Sequence, residues 1–310
     1  MTIGIAAFGE RAGQAVIEGL AAAEAIGRGA LHGFVSFVAI GADGRLHRAE
    51  VQDGGVKALL AGLPFPEHLA NAALAGLMSS GPNRPAPLSQ FTPADADFGL
   101  VTGHRFPNSF GAHGRPLNLD VLDLMRDGLS PESALARVVA ENPLADAGFI
   151  ALSRRGELHS ENTQAVDDLG DAGRGSGRSE DFLAGVDVLH NAIRPSKSLA
   201  GLVVEVALTA MAPPLLPDIE VSFRAGVPIR IGEANAFLVN NGSQVEAVVT
   251  RDKRHALGTW SFGLGYRTGV YQRGRLVGSA LYEPFLIAEN GRIASVDGQS
   301  SMRLPIQFRR

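Results

Sequence analysis

Asp97-Phe98-Gly99-Leu100-Val101-Thr102-Gly103-His104-Arg105-Phe106-Pro107-Asn108-Ser109 is the stretch on which the fold turns. A short apolar run, Phe98 to Thr102, ends in a knot of Thr, His, Arg, Asn and Ser broken by Gly and Pro. Apolar runs of this length read as buried strands. Polar residues gathered where a strand leaves its sheet are where sites are commonly built. Downstream, Leu117–Arg126 predicts a helix with Leu119, Leu122 and Met125 on one face. Ser130-Pro131-Glu132 is a helix start, with a capping hydroxyl, a proline in the first turn and an acid at the positive end of the dipole. Gly148–Leu152 predicts a strand, Ser153–Gly156 a turn and Glu157–Thr163 a second strand.

The N-terminal part follows the same logic. Thr2–Phe8 predicts a strand, Gln14–Ile26 a helix, Leu31–Ile40 a buried strand and Arg45–Val51 its hairpin partner. Gly33-Phe34-Val35 leading to Gly44-Arg45-Leu46-His47 parallels Gly148-Phe149-Ile150 leading to Gly156-Glu157-Leu158-His159. A strand–helix–hairpin duplication of this kind would set two sheets face to face with helices outside. Glu67–Met78 reads as a helix, Asp167–Asp181 as a loop and Phe182–Ile193 as a helix. Ser198–Met211 suits a helix or a strand. From Ile219 onward the pattern is β, with hairpin turns at Asn241-Gly242 and Asn290-Gly291. The boundary falls within 195–215, and the domains are set at 1–195 and 196–310.

Composition bounds the function classes. The chain has 310 residues, of which 45% are hydrophobic and 19% charged, which suits a globular protein with a sizeable core. A formal net charge of −4 leaves no basic footprint for nucleic acid. The absence of cysteine removes disulfides, thiol nucleophiles and thiolate metal sites. No secretory leader and no membrane-spanning apolar stretch is read, so a cytoplasmic protein without a membrane partner is expected. No HExxH, GxxxxGK[ST] or GxSxG pattern occurs and the eight His show no metal-ligand spacing, so no metal and no cofactor is expected.

Three polar groups remain. Thr102, His104, Arg105, Asn108 and Ser109 could polarise a carbonyl or bind a carboxylate. They could equally be a polar loop around a Pro-Asn turn. Asn162 and Thr163 end a hairpin strand, where an amide could donate to an oxyanion; an exposed strand end is the alternative. Thr2 would become a nucleophile with its own amine as base if Met1 were removed. A small second residue is also common in ordinary proteins.

The pattern Gly99-Leu100-Val101-Thr102, Pro107-Asn108-Ser109-Phe110-Gly111, Met125-Arg126-Asp127-Gly128, Leu129 to Leu135 and Gly148 to Leu152 resembles an uncharacterised bacterial family of the Ntn-hydrolase superfamily. The opening Met1-Thr2-Ile3-Gly4-Ile5 resembles the start of that family. The resemblance spans roughly residues 1–195 and extends more distantly to isoaspartyl peptidases and plant-type asparaginases. It implies an α+β fold, an αββα sandwich to which residues 196–310 add a β-rich part, and an amidohydrolase ancestry. The internal Thr cleavage site of the asparaginases has no counterpart, so the chain is expected to stay in one piece.

Two functions follow. The first is a metal-independent amidohydrolase acting on a small amide. Thr102 or Thr2 would be its nucleophile, His104 its base or orienter and Asn162 its oxyanion donor. Arg105 would hold a substrate carboxylate, and Asn108, Ser109 and Thr163 would line the substrate site. The second is an inactive relative that binds a small molecule or serves assembly. Trp260, Tyr266, Tyr271 and Tyr282 all fall in the β-rich part. That concentration points to a homo-oligomer, unless the rings fill the part's own core.

Overall fold

Alternation of apolar residues with small and polar ones builds the first unit as two antiparallel sheets. A computed structural model describes residues 1–61, 63, 65–212 and 216–309. The chain divides into two compact units, Met1–Pro213 and Pro214–Arg310. In the first, β1 (Thr2–Phe8), α1 (Ala12–Ile26), β2 (Val35–Ile40), β3 (Leu46–Val51), the short α2 (Gly55–Leu60) and α3 (Glu67–Ala70) and β4 (Leu74–Ser80) come in order. They are followed by β5 (Ala94–Asp95), β6 (Gly99–Arg105), α4 (Leu117–Arg126), α5 (Pro131–Glu141), β7 (Ala147–Ser153) and β8 (Leu158–Asn162). The last elements are α6 (Gln164–Leu169), β9 (Ala172–Arg178), β10 (Gly185–Asn191) and α7 (Leu199–Met211). One sheet has the order β3-β2-β4-β1-β10-β9, the other β5-β6-β7-β8.

Three apolar clusters join the layers. Ile3, Ile5, Val186 and Val188 turn one face of the larger sheet onto α1 and α7. Val101, Phe149 and Ala151 turn one face of the smaller sheet onto Leu122, Leu135 and their neighbours on α4 and α5. Ala6, Ile40, Leu74 and Leu189 meet Leu100, Ile150 and Leu152 between the sheets. Strands alternate their side chains between faces, so Thr2, Gly4 and Ala6 share this inner seam. The sheets come closest where β1 meets β6, because Gly4 has no side chain to hold them apart. A Cβ there would lie 2.3 Å from the Gly103 carbonyl oxygen.

Helix α5 starts as its sequence directs. Ser130 caps it, accepting from the Ser133 amide, with Pro131 at the first position. Three segments differ from expectation. Residues 74–78, expected to end a helix, form β4 together with Ser79 and Ser80, expected in a connector, and the strand is fully buried on both faces. The Gly-rich stretch read as a loop is the edge strand β9. Its glycines let α7 lie against it: a Cβ on Gly177 would be 2.5 Å from Val204 and one on Gly175 2.8 Å from the Ala200 carbonyl. Residues 185–191, read as helix, form β10. Helix α7 packs on α1 and belongs to the first unit, so the break falls at 213/214 instead of 195.

The second unit holds β11 (Ile219–Arg224), β12 (Ile229–Ile231), β13 (Ala236–Val239), β14 (Val245–Thr250), β15 (Thr259–Phe262), β16 (Gly269–Gln272), β17 (Arg275–Ala280), β18 (Leu286–Glu289), β19 (Arg292–Val296) and β20 (Ser301–Phe308). Seven form a sheet of order β11-β20-β17-β16-β13-β14-β12 and three a sheet of order β15-β18-β19. Phe223, Phe237, Leu286 and Ile306 belong to the core they share. Trp260, Tyr266 and Tyr282 do not fill that core; each is more than a third exposed.

Gly4→Ala is expected to destabilise the first unit by about 1–3 kcal/mol, the usual cost of overpacking. Gly201→Ala in α7, where a Cβ would meet nothing within 4 Å, should instead stabilise it by roughly 0.5–1 kcal/mol. Thermal melts check both; a wild-type melting temperature for Gly4→Ala would contradict the tight seam.

Candidate active site

Strand register brings Thr2 between Asn191 of β10 and Ser80 of β4. The Thr2 hydroxyl donates to Asn191 Oδ1 at 2.6 Å, and the Thr2 backbone N–H donates to the same oxygen at 3.0 Å. The hydroxyl oxygen accepts from the Arg105 backbone N–H at 2.5 Å. One side chain thus holds both the hydroxyl and the nitrogen of Thr2. An amide donor on the oxygen favours its developing negative charge.

Arg105 presents that amide through an unusual backbone. Its φ is +61°, a left-handed conformation that costs a non-glycine residue on the order of 1–3 kcal/mol and persists only where its surroundings over-determine it. Here the guanidinium is clamped, Nη1 to Asp146 at 2.9 Å and Nη2 to Asp171 at 2.6 Å. The side chain is largely buried. The expected role of Arg105 as holder of a substrate carboxylate is therefore corrected. Two protein carboxylates already occupy its terminal nitrogens, and its amide is what reaches Thr2.

Behind Thr2 lies a buried polar relay. Asn162 Nδ2 donates to Asp167 at 2.9 Å, and a carboxylate can only accept. The Asn162 oxygen therefore faces His104 Nε2, 2.9 Å away, which makes Nε2 the protonated nitrogen. Nδ1 is left as an acceptor, buried and with no hydrogen-bond partner of good geometry among the described residues, on the side where the Asn191 side chain approaches the ring. Burial pulls the His104 imidazole down to about 4, partly opposed by the Asn162 hydrogen bond. It is neutral at pH 7. His190, on the helix-facing side of β10, is likewise pulled down to about 4 by burial, with neither ring nitrogen partnered among the described residues.

A cavity of about 280 Å³ opens beside Thr2. Its walls include Phe34, Met78 and Phe91, with Arg84, Arg105 and Asn191 as polar groups. Met1 sits in the same cavity. Its carbonyl accepts from Ser80 Oγ at 2.6 Å and its sulfur from the Ala30 amide at 3.1 Å. Burial lowers the Met1 ammonium below its ordinary value, and nearby Arg105 and Arg84 lower it further.

The structure separates the expected site residues. Thr2, Arg105 and Asn108 line the cavity. Thr102 does not: it is fully buried and its hydroxyl donates to the Leu77 carbonyl at 2.9 Å, across the seam. His104 and Asn162 pair with each other behind the cavity wall. Asn108 Nδ2 donates to Gln90 Oε1 at 2.7 Å. The Ser109 hydroxyl is buried without a partner among the described residues. The Thr163 hydroxyl donates to the Ala145 carbonyl at 2.6 Å. Neither Ser109 nor Thr163 lines the cavity. Asn191 carries no signal of its own in the sequence, because the spacing of Phe182, Val186, Leu189 and Ile193 predicts a helix where the structure has β10. The strand is buried on both faces, so no clear period of two marks it in the sequence. Arg84 was passed over in a proline-rich connector. Among the described residues, no group of three His, Asp or Glu side chains is placed to hold a metal ion.

The chain belongs to the family described as Domain of unknown function (DUF6963), which matches residues 2–219. A second family, Domain of unknown function (DUF7259), matches residues 226–301. No curated protein matches the chain.

The two depressed imidazoles have a consequence for stability. Between pH 6.5 and about 4 the unfolded chain binds protons at His104 and His190 that the folded chain does not. Stability therefore rises with pH through that window and falls on acidification. His190→Leu and His104→Gln should each flatten the fall, read from denaturant melts at pH 7 and 4.5. An unchanged pH slope in both variants would contradict the assignment.

Proposed function

We propose that the chain is an amidohydrolase of the Ntn type whose nucleophile is Thr2, exposed by removal of Met1. The observation that carries this reading is that Asn191 Oδ1 holds the hydroxyl and nitrogen of Thr2 together at the wall of a cavity, with the Arg105 amide on the hydroxyl oxygen. The arrangement of helices on the outer faces of two stacked antiparallel sheets supports the αββα reading that goes with it.

In this mechanism Met1 leaves the nascent chain, where a small second residue permits its removal. The freed Thr2 amine would stand at the wall of the same cavity, where burial, the largest cause that lowers the Met1 ammonium, would also favour its neutral, basic form. The amine takes the Oγ1 proton as Oγ1 attacks the substrate carbonyl carbon. The protonated amine then gives its proton to the leaving nitrogen as the C–N bond breaks. Water, deprotonated by the same amine, hydrolyses the Thr2 ester and restores the hydroxyl. The cavity lies just below the roughly 300–1,000 Å³ of drug-sized ligand sites, so the substrate is a small amide.

Intact-mass measurement should find one polypeptide lacking Met1. That protein should release p-nitrophenol from p-nitrophenyl acetate, with an acetyl group transiently on Thr2. Thr2→Ala should lower the rate by more than about 10³-fold. Thr102→Val should leave it within about twofold while costing about 1 kcal/mol of stability. Retention of Met1 together with an unreactive Thr2 would favour the second reading, an inactive small-molecule binding or assembly protein.

We further propose a homo-oligomer formed through the second unit, because Trp260, Tyr266, Tyr282 and Phe285 are left partly exposed there and aromatic side chains are common interface anchors. Light scattering at micromolar concentration should give a mass above the 32.4 kDa of one chain. Trp260→Ala should lower that mass without changing the circular dichroism.

A further inference from the structure

The cavity beside Thr2 is apolar except for a small polar group, and the charges in that group do not cancel. Of its two guanidiniums, Arg105 is neutralised by Asp146 and Asp171. No carboxylate lines the cavity. Arg84 is half-buried and makes no ion pair among the described residues. Its Nη2 donates only to Ser80 Oγ, at 2.8 Å, and its guanidinium carbon stands 5.9 Å from the centre of the Phe34 ring.

The backbone around Arg84 is held in place. Its amide donates to Gln52 Oε1 at 3.0 Å and its carbonyl accepts from Gln52 Nε2 at 3.0 Å. A cation fixed at the edge of an apolar cavity, with donors left over, is a half-made ion pair. Arginine presents five donors in a planar fork that matches a carboxylate. A neutral ligand would leave that charge uncompensated in a partly desolvated place, which costs free energy.

Met1 shows what happens at this end of the cavity. Ser80, which accepts from Arg84, donates its own hydroxyl proton to the Met1 carbonyl. Loss of Met1 removes that acceptor and leaves the Ser80 hydroxyl and the Arg84 fork beside each other, facing vacated space. Both would then be donors in search of an oxygen acceptor.

We propose that Arg84, with Ser80 beside it, is the recognition site for a carboxylate on the substrate. The substrate class is then a small amide carrying both an apolar group and a carboxylate. The apolar group packs against Phe34, Met78 and Phe91, and the carboxylate rests on Arg84. This inference rests on the reading of Thr2 as nucleophile of the same cavity, but the carboxylate site can be measured without any turnover.

Calorimetric titration of sodium isovalerate into the Met1-processed protein tests it, with isovaleramide and inorganic phosphate as comparisons. Isovalerate should bind, and isovaleramide and phosphate should bind at least about tenfold more weakly. Arg84→Met should weaken isovalerate by at least about tenfold and remove its salt dependence. Arg84→Lys, which keeps the charge and loses the fork, should fall between. Circular dichroism melts of both variants establish that they fold. Equal binding of acid and amide, equal binding of phosphate, or wild-type affinity in folded Arg84→Met would overturn the proposal, as would no binding of isovalerate at all. Thr2→Ala is titrated in parallel and should keep isovalerate binding. Failure of Thr2 chemistry with binding intact removes the hydrolase reading alone, and failure of binding with Thr2 chemistry intact removes the carboxylate site alone.

Discussion

The close approach of two sheets at Gly4 and Gly103 is the constraint on which the site depends. Only where β1 and β6 come this near can the backbone amide that ends β6 reach a side chain at the start of β1. Glycine at position 4 removes the side chain that would part them, since a Cβ there would lie 2.3 Å from the Gly103 carbonyl oxygen. The hydrogen bond from Thr102 to the Leu77 carbonyl crosses the same gap. An unmade bond there would leave polar atoms in a dry seam, at a cost of about 1–3 kcal/mol each. The residue that reads most like a nucleophile in the sequence is thus one of those that hold the sheets in register.

Arg105 converts that proximity into chemistry. Its left-handed backbone aims an N–H at Thr2, and the two carboxylates on its guanidinium keep the chain from relaxing. The same ion pairs neutralise a charge that would otherwise dominate the cavity. Local strain and local charge are handled by one residue, and the cavity guanidinium with no ion-pair partner among the described residues is Arg84.

Legibility followed how local each signal was. Strand β6 and helix α5 were readable because an apolar run ending at glycine, and a Ser-Pro-Glu start, act within a few residues. Strand β10 was misread because Phe182, Val186, Leu189 and Ile193 fit helical spacing, while its burial on both faces hides the period of two. Val186 and Val188 face the helices and Leu189 faces the other sheet. Strand β9 was misread because its glycines look like a loop, when they are there to admit α7. The pairing of His104 with Asn162 joins two segments that the sequence analysis had already singled out. Asn191 was not legible, since its role exists only once β10 is a strand beside β1.

The charges around Thr2 can be followed group by group. Arg105 is matched by Asp146 and Asp171. His104 is neutral because burial disfavours its charged form, by more than the Asn162 hydrogen bond favours it. Its remaining nitrogen is buried and the ring does not line the cavity. The Met1 ammonium stands in the same cavity as the Thr2 hydroxyl. Burial and two guanidiniums press it toward the uncharged form, while Asp171 and Asp146 oppose them less strongly. On the proposed reading, a freed Thr2 amine in this setting would be a base beside a hydroxyl that accepts from the Arg105 amide.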